Sequence, residues 1–242
     1  MKYDVIGRTY TRTRATDPRI AAAIWDALGG ARTVVNVGAG TGHYEPPDRD
    51  VTAVEPSEAM IGQRPPGAAP VVQAVAEALP FEDGRFDAAM AVLTVHHWTD
   101  WRRGIEEMRR VAQRVVVFSW DPSFARRLWI TAEYLPFVGE EETTFPSLAD
   151  QAGAVRATRV TTVPIPHDCE DGFYGAHWRR PAAYLDPEVR AGISVLADRA
   201  PEELAPGLER LRSDVESGAW AERHADLLAR DELDLGYRLL IA

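Results

Sequence analysis

The sequence predicts a doubly wound α/β fold: a mostly parallel, seven-stranded sheet with an inserted helical and irregular cap before the last strand. Three observations predict it. Short β-branched runs (TVVNV, VTAVE, VVVFSW) alternate with helical stretches, which is the pattern of βαβ units. The first run closes on the glycine-rich loop Asn36-Val-Gly-Ala-Gly-Thr-Gly42, and ligands bind at the carboxyl ends of such strands. The last run, GYRLLIA, stands at the C-terminus, far from the others, and reads as a closing strand.

In chain order, PRIAAAIWDAL at 18–28 reads as a helix. Asp17 can cap it, Pro18 suits its first position, and Gly29 and Gly30 can end it. TVVNV is a buried strand running into a tight turn. Further strands are expected at 51–55, 70–75 and 86–93. TDWRRGIEEMRRVA at 99–112 is an amphipathic helix, with Trp101, Ile105, Met108 and Ala112 on one face. VVVFSW at 115–120 is a fifth strand. The pattern loosens over 121–145, and 157–165 is a candidate sixth strand. Residues 166–232 read as the inserted cap within a single domain spanning 1–242.

The composition narrows the functional classes. Of 242 residues, 45% are hydrophobic and 26% charged, as in an ordinary soluble globular protein. A net charge of -10 opposes a nucleic-acid partner. Cys169 is the only cysteine, so neither an internal disulfide nor a cysteine-based zinc site is expected. No apolar run approaches the roughly 18 residues of a membrane span. MKYDVIGRTYTRTR lacks the apolar stretch of a secretory signal, so a cytoplasmic protein with no membrane partner is expected. Nothing in the sequence sets the oligomeric state.

Glycines at this spacing let the backbone turn sharply and approach a ligand without Cβ clashes. The backbone N–H groups that follow suit polar or anionic ligand atoms. The spacing is G-x-G-x-G, with His43 where the dinucleotide pattern has its third glycine. Glu55 ends the next strand, where a carboxylate can accept both hydroxyls of an adenosine ribose.

NVGAGTG, then AVEPSEAM, then AEALPFEDGRFDAAMAVLTVHHW together resemble the class I methyltransferases, in their type 11 small-molecule branch, over roughly residues 1–120. The resemblance implies a Rossmann-like fold that binds S-adenosylmethionine, transfers its methyl group to a small-molecule acceptor at O, N or C, and leaves S-adenosylhomocysteine. It places Gly38, Ala39, Gly40 and Gly42 under the methionine part of the cofactor and Glu55 at the ribose. Pro56 and Met60 would flank the adenine, and Ala76 and Glu77 would meet its edge. Leu93 would lie near the methionine amino group through its backbone. Tyr10 and Arg14 match an N-terminal Y-x-x-x-R that covers the cofactor, the arginine facing the methionine carboxylate. Three features depart from the family. Asn36 opens the loop where an acid is usual. Pro46 and Pro47 leave little room for a crossover helix. Val75 stands where an acid usually precedes A-E.

His96 and His97 follow the fourth strand at its carboxyl edge. Either is a candidate general base, because imidazole titrates near neutrality. His167, Asp168, Cys169, Asp171 and His177 cluster beside Phe173, Tyr174 and Trp178 in the cap. That cluster lines an acceptor pocket or is a hydrogen-bonded loop holding the cap together. Its spacing matches no tight metal-ligand motif, so no metal is expected. Trp120, Trp129 and Tyr134 line the same pocket or belong to the core. The alternative is a cofactor-binding protein of this type that does not transfer methyl groups.

Overall fold

A computed structural model describes residues 14–140 and 145–242. Helix α1 (Pro18–Ala27) begins where expected, since the Asp17 side chain accepts the N–H groups of Arg19 and Ile20. It buries Ile20, Ala21, Ile24 and Ala27. Strands β1 (Thr33–Val37) and β2 (Asp50–Val54) are parallel and in register from Thr33↔Asp50 to Val37↔Val54. The residues between them form turns and no helix, as Pro46 and Pro47 require. Helix α2 (Glu58–Ile61), capped by Ser57, and the two-residue strand β3 (Val71–Val72) follow.

β4 (Phe86–Val92) is buried along most of its length. Helix α3 (Trp101–Val111) starts at the Asp100 cap and runs directly into β5 (Ala112–Trp120). The fifth strand therefore begins three residues earlier than its apolar run indicates. Helices α4 (Phe137–Glu140) and α5 (Leu148–Val155) lead to β6 (Arg159–Thr162). All four β6 residues are exposed, so this is a solvent-facing edge strand with no buried run to mark it. The sixth strand was expected to reach residue 165. Instead β7 (Ile165–Pro166) leaves the sheet to pair with residues 232–233.

The cap holds helices α6 (Pro187–Ala191), α7 (Ser194–Ala197), α8 (Pro201–Ser217), α9 (Ala219–Arg223) and α10 (Ala225–Leu228). Strand β8 (Glu232–Leu233) and then β9 (Tyr237–Ile241) complete the chain. The main sheet has the order β3-β2-β1-β4-β5-β9-β6. Its first five strands are parallel, and β9 enters antiparallel between β5 and β6. Val34, Ala88 and Val116 face one apolar layer with α1, while Val35, Ala89 and Val115 face the other with α3. No helix among the described residues is long and apolar enough to cross a membrane.

The start of the cap is fastened to the start of α1. Arg19 donates to Asp168 at 2.7 Å, and the Glu170 N–H donates to Asp17 at 3.1 Å. Burial alone would raise the Asp17 carboxyl, but Arg19 and the backbone donors outweigh it and hold its pKa at about 2. Arg14 grips Asp171 with both arms of its guanidinium, and the Tyr44 hydroxyl donates to the same carboxylate at 2.8 Å. Asp17 and Asp171 are both fully buried.

Candidate functional site

A cleft of about 410 Å³ opens at the carboxyl ends of β1, β2 and β4. Its floor is the glycine loop. The Gly38 and Ala39 N–H groups donate to the Val54 carbonyl at 2.9 and 3.0 Å, which folds the loop back over β2. Gly38 has φ +69°, and a Cβ there would lie 2.2 Å from Thr94 Oγ1. Only glycine fits that position, on conformational and steric grounds together. Gly40 has φ +53°, and a Cβ would press on Met60 Cε at 3.3 Å.

Glu55 is 7% exposed and organises the wall beside the loop. Its carboxylate accepts the Gly40 N–H at 2.7 Å and the Ser57 N–H at 2.9 Å. The loop and the start of α2 are thus tied to one acid at the end of β2. Each oxygen keeps acceptor capacity for a ligand hydroxyl. Pro56, Ser57 and Met60 continue this wall.

Behind the loop the structure explains Asn36. Its amide donates to Glu45 Oε1 at 3.1 Å, and Arg64 binds both oxygens of Glu45 at 2.9 Å. Arg64 also donates to the Gly40 carbonyl at 3.3 Å. The side chains of Arg64 and Glu45 are 5% and 9% exposed, so this is an enclosed ion pair. The negative charge expected at position 36 stands at Glu45, nine residues further on. The ion pair also braces a crossover that lacks its helix.

The opposite wall comes from β4 and the turn after it. Leu93 has φ +51°, a strained conformation for a residue with a branched side chain. Its N–H donates to the Phe118 carbonyl at 2.8 Å, which holds it there. Val92, Leu93, Thr94, His96, His97, Trp98 and Thr99 all line the cleft. The His96 ring lies 3.7 Å from that of His97 and stacks on Phe145 at 4.4 Å. Phe145 meets Trp120 edge-on at 5.8 Å.

The third side comes from Arg14, Thr41, His43 and Tyr44. The sequence reading passed over Thr41 and His43 as binding residues, although both lie in or beside the loop motif. Thr41 Oγ1 and His43 Nε2 are buried and have no hydrogen-bond partner among the described residues. Burial lowers the His43 pKa, so its ring is neutral near pH 7. Thr16 Oγ1 lies 3.4 Å from His43 Nδ1.

The expected cofactor residues Arg14, Gly38, Ala39, Gly40, Glu55, Pro56, Met60 and Leu93 all line this cleft. Gly42 sits beside it, with φ +95°. Tyr10 lies outside the described residues. Arg14 reaches the cleft, but its guanidinium is held by Asp171. Ala76 and Glu77 are not among the lining residues. Glu77 instead accepts the Asp100 N–H at 3.0 Å, ahead of α3, and Ala76 packs beneath Gly104. Thr94, Trp98 and Thr99 were not expected, because nothing in their spacing marks them.

The cap residues have other occupations. Trp129 donates to the Trp178 carbonyl and Trp178 to the Ile165 carbonyl, at 2.8 and 3.1 Å. Both line a separate concavity of about 280 Å³. The Tyr134 hydroxyl donates to Asp214 at 2.7 Å, and the Tyr174 and Thr131 hydroxyls share a 2.6 Å bond. Trp120 donates to the Leu235 carbonyl at 2.8 Å. His167 lies 3.5 Å from Asp168 on the surface. Burial pushes the Cys169 thiol up to about 12, and burial with the nearby Arg180 charge lowers His177 to about 4. Both His177 ring nitrogens are buried without a partner among the described residues. None of these residues lines the main cleft. The 167–171 cluster acts as the fastening of the cap to α1. No cluster of three or more metal-ligating side chains occurs among the described residues.

Comparison with known proteins agrees with this geometry. Residues 35–118 match the family model of a methyltransferase domain. No curated protein matches the chain. Among solved structures, a protein of Anabaena variabilis described as a methyltransferase from an antibiotic biosynthesis pathway is 32% identical, with a TM-score of 0.88 over 95% of this chain and 98% of that one. A SAM-dependent methyltransferase of Thermotoga maritima shares the fold at 22% identity, with a TM-score of 0.54 over 68% of this chain and 84% of that one. The geranyl diphosphate C-methyltransferase of Streptomyces coelicolor does so at 15% identity, with a TM-score of 0.52 over 92% and 77%. With the glycine loop over β2 and the strand-end acid beside it, these likenesses establish that the chain is an enzyme of the class I, S-adenosylmethionine-dependent methyltransferase family.

Proposed function

We propose that the enzyme methylates a small molecule held between the glycine-loop cleft and the cap, residues 166–232 closing over the acceptor within one domain. The observation that carries this reading is the shared cleft. The loop of Gly38–Thr41 and the His96–His97 turn face the same space of about 410 Å³. That volume lies within the roughly 300–1,000 Å³ of small-molecule sites. The cofactor fits the residues present. Glycine at 38 and 40 keeps the loop on its positive-φ path close against Thr94 and Met60, and Glu55 has oxygens for a ribose. Arg14 can answer the methionine carboxylate only by giving up part of its grip on Asp171. Thr41 and His43 stand beside it as neutral polar neighbours.

When bound, S-adenosylmethionine supplies an activated methyl group. The protein's own task is then largely positioning, worth about 7–11 kcal/mol in a well-oriented pair. His96 or His97 takes the acceptor proton where the acceptor is an O–H or N–H group, a contribution of about 10²–10⁴-fold. His96 lines the cleft and is backed by the Phe145 ring stacked on it, with Trp120 edge-on behind Phe145, which supports an aromatic surface for the acceptor at His96. A small acceptor, and no nucleic acid, is supported by the net charge of -10. The Anabaena relative, described as belonging to an antibiotic biosynthesis pathway, supports a specialised metabolite as acceptor.

The test is isothermal titration with S-adenosylhomocysteine, beside NADH and a Glu55→Ala variant. Binding in the micromolar range, weakened about 10-fold or more in the variant and absent for NADH, is expected. Well-folded protein that ignores S-adenosylhomocysteine would overturn the reading of this cleft. An acceptor screen then compares wild type with His96→Ala and His97→Ala, reading the pH profile of kcat.

A further inference from the structure

Within the cap lies a groove that shares no described residue with the catalytic cleft. It encloses about 320 Å³ between α6, the turn at Arg199 and α8. Its floor is apolar, made by Pro201, Leu204, Ala205 and Leu208. Its walls carry Arg190, Arg199 and Arg212, and Glu209 is the single acid among the described lining residues. Three guanidinium groups thus reach one concavity from three different elements, on a chain whose net charge is -10.

The groups around the groove are held from behind. Arg190 donates to the Tyr184 carbonyl at 2.8 Å. Arg199 lies over the Phe137 ring at 4.8 Å and 3.9 Å from Glu203. Arg212 has Glu209 at 3.7 Å, beyond hydrogen-bonding distance, and that glutamate side chain is 80% exposed. An ion pair so long and so wet contributes little. The contrast with Arg14, Arg64 and Arg110 is direct, since each of those meets a carboxylate at hydrogen-bond distance. Burial lowers the Arg190 pKa, the Asp186 charge pulls it back, and the like charge of Arg212 lowers it by a smaller effect. An anion between Arg190 and Arg212 offsets their mutual repulsion.

We propose that this groove binds a small amphipathic anion, its phosphate or carboxylate head taken by Arg190 and Arg212 and its apolar tail lying on Leu204 and Leu208. Guanidinium forks suit oxyanions with two adjacent oxygens. The apolar floor separates such a ligand from inorganic phosphate, which gains nothing from it.

The probe is octyl phosphate, titrated calorimetrically into protein saturated with S-adenosylhomocysteine, so that the catalytic cleft is filled. Inorganic phosphate and octanol are the controls for head and tail. Binding of octyl phosphate at least about 10-fold tighter than either control is expected. It should weaken at least about 10-fold in Arg212→Glu and fall with added salt. Arg212 is a half-exposed surface residue, so this variant tests the site even where Arg190→Gln fails to fold. Equal binding of octanol would reduce the groove to an apolar patch and overturn the proposal. So would octyl phosphate binding unchanged in Arg212→Glu, or no binding at all. Retained affinity for S-adenosylhomocysteine in the variant keeps that outcome separate from any failure of the methyl-transfer reading.

Discussion

Restoring the usual acid at the head of the glycine loop, by Asn36→Asp, is expected to damage the protein. Asn36 is 2% exposed and its amide donates to Glu45 at 3.1 Å. An aspartate there places a second carboxylate against the first. Two like charges about 4 Å apart repel by about 4 kcal/mol at an effective dielectric of 20. Arg64 already serves Glu45 and offsets only part of this. The lost hydrogen bond adds about 1 kcal/mol. A net loss of about 2–4 kcal/mol at pH 7 follows, measured by urea unfolding with wild type alongside. One carboxyl of the pair must hold its proton, so its folded pKa rises above the unfolded value near 4. The deficit is therefore largest at neutral pH and shrinks as pH falls towards 4. Adding Glu45→Gln removes the repulsion but leaves Arg64 with a new partner at position 36. The double variant should recover at least half of the loss. An Asn36→Asp protein as stable as wild type at pH 7, or a double variant with no recovery, would refute the charge-transposition argument.

Three other perturbations have signs fixed by the geometry. Gly38→Ala forces a Cβ to within 2.2 Å of Thr94 Oγ1 at a positive φ, so it should lose about 3 kcal/mol and most cofactor affinity; Thr94→Ala in the same chain should restore part of both, and affinity for S-adenosylhomocysteine reads the result. Asp171→Asn leaves the 11%-exposed Arg14 side chain without its anion, at about 3–5 kcal/mol; a loss under 1 kcal/mol in denaturant titration would show that the clamp is slack. Burial lowers the His177 pKa from 6.5 to about 4, so the unfolded chain takes up a proton the folded chain refuses, and stability falls by roughly 3 kcal/mol as pH drops from 6.5 to about 4. His177→Met should be neutral or stabilising at pH 7, because it removes two unpartnered nitrogens, and should flatten the acid limb between pH 6.5 and 4 in parallel thermal melts.

The parts of the fold visible in the sequence are those where local chemistry and tertiary role agree. Asp17, Pro18 and the glycines around them specify α1 whatever it packs against. The loop from Asn36 to Gly42 needs positive φ at several points, which only glycine grants cheaply, so the motif announces both turn and site. His96 and His97 were readable as lining residues because they directly follow a buried strand. Other parts depend on partners distant in sequence. β6 has no buried face, so its length follows only from its ladder with β9. Ala76 and Glu77 follow the family pattern in identity, yet Glu77 is engaged by the backbone ahead of α3. Arg14 is diverted by an aspartate 157 residues away. The aromatic residues expected at the acceptor pocket could be pocket or core on composition alone. Their indole and hydroxyl groups are met by the carbonyls of Ile165, Trp178 and Leu235, an aspartate and a threonine, which no spacing encodes.

The place of β9 in the sheet governs the order in which the molecule can be completed. The last five-residue strand lies between β5 and β6, bonded to both. Until it arrives, β5 and β6 share no ladder, and each presents a row of open N–H and C=O groups. During synthesis the sheet therefore stays half-finished until residues 237–241 emerge, with Phe118 and Val116 on its unfinished flank. Removing residues 237–242 should yield two sticky edges rather than a smaller enzyme, and the product should collect in the insoluble fraction.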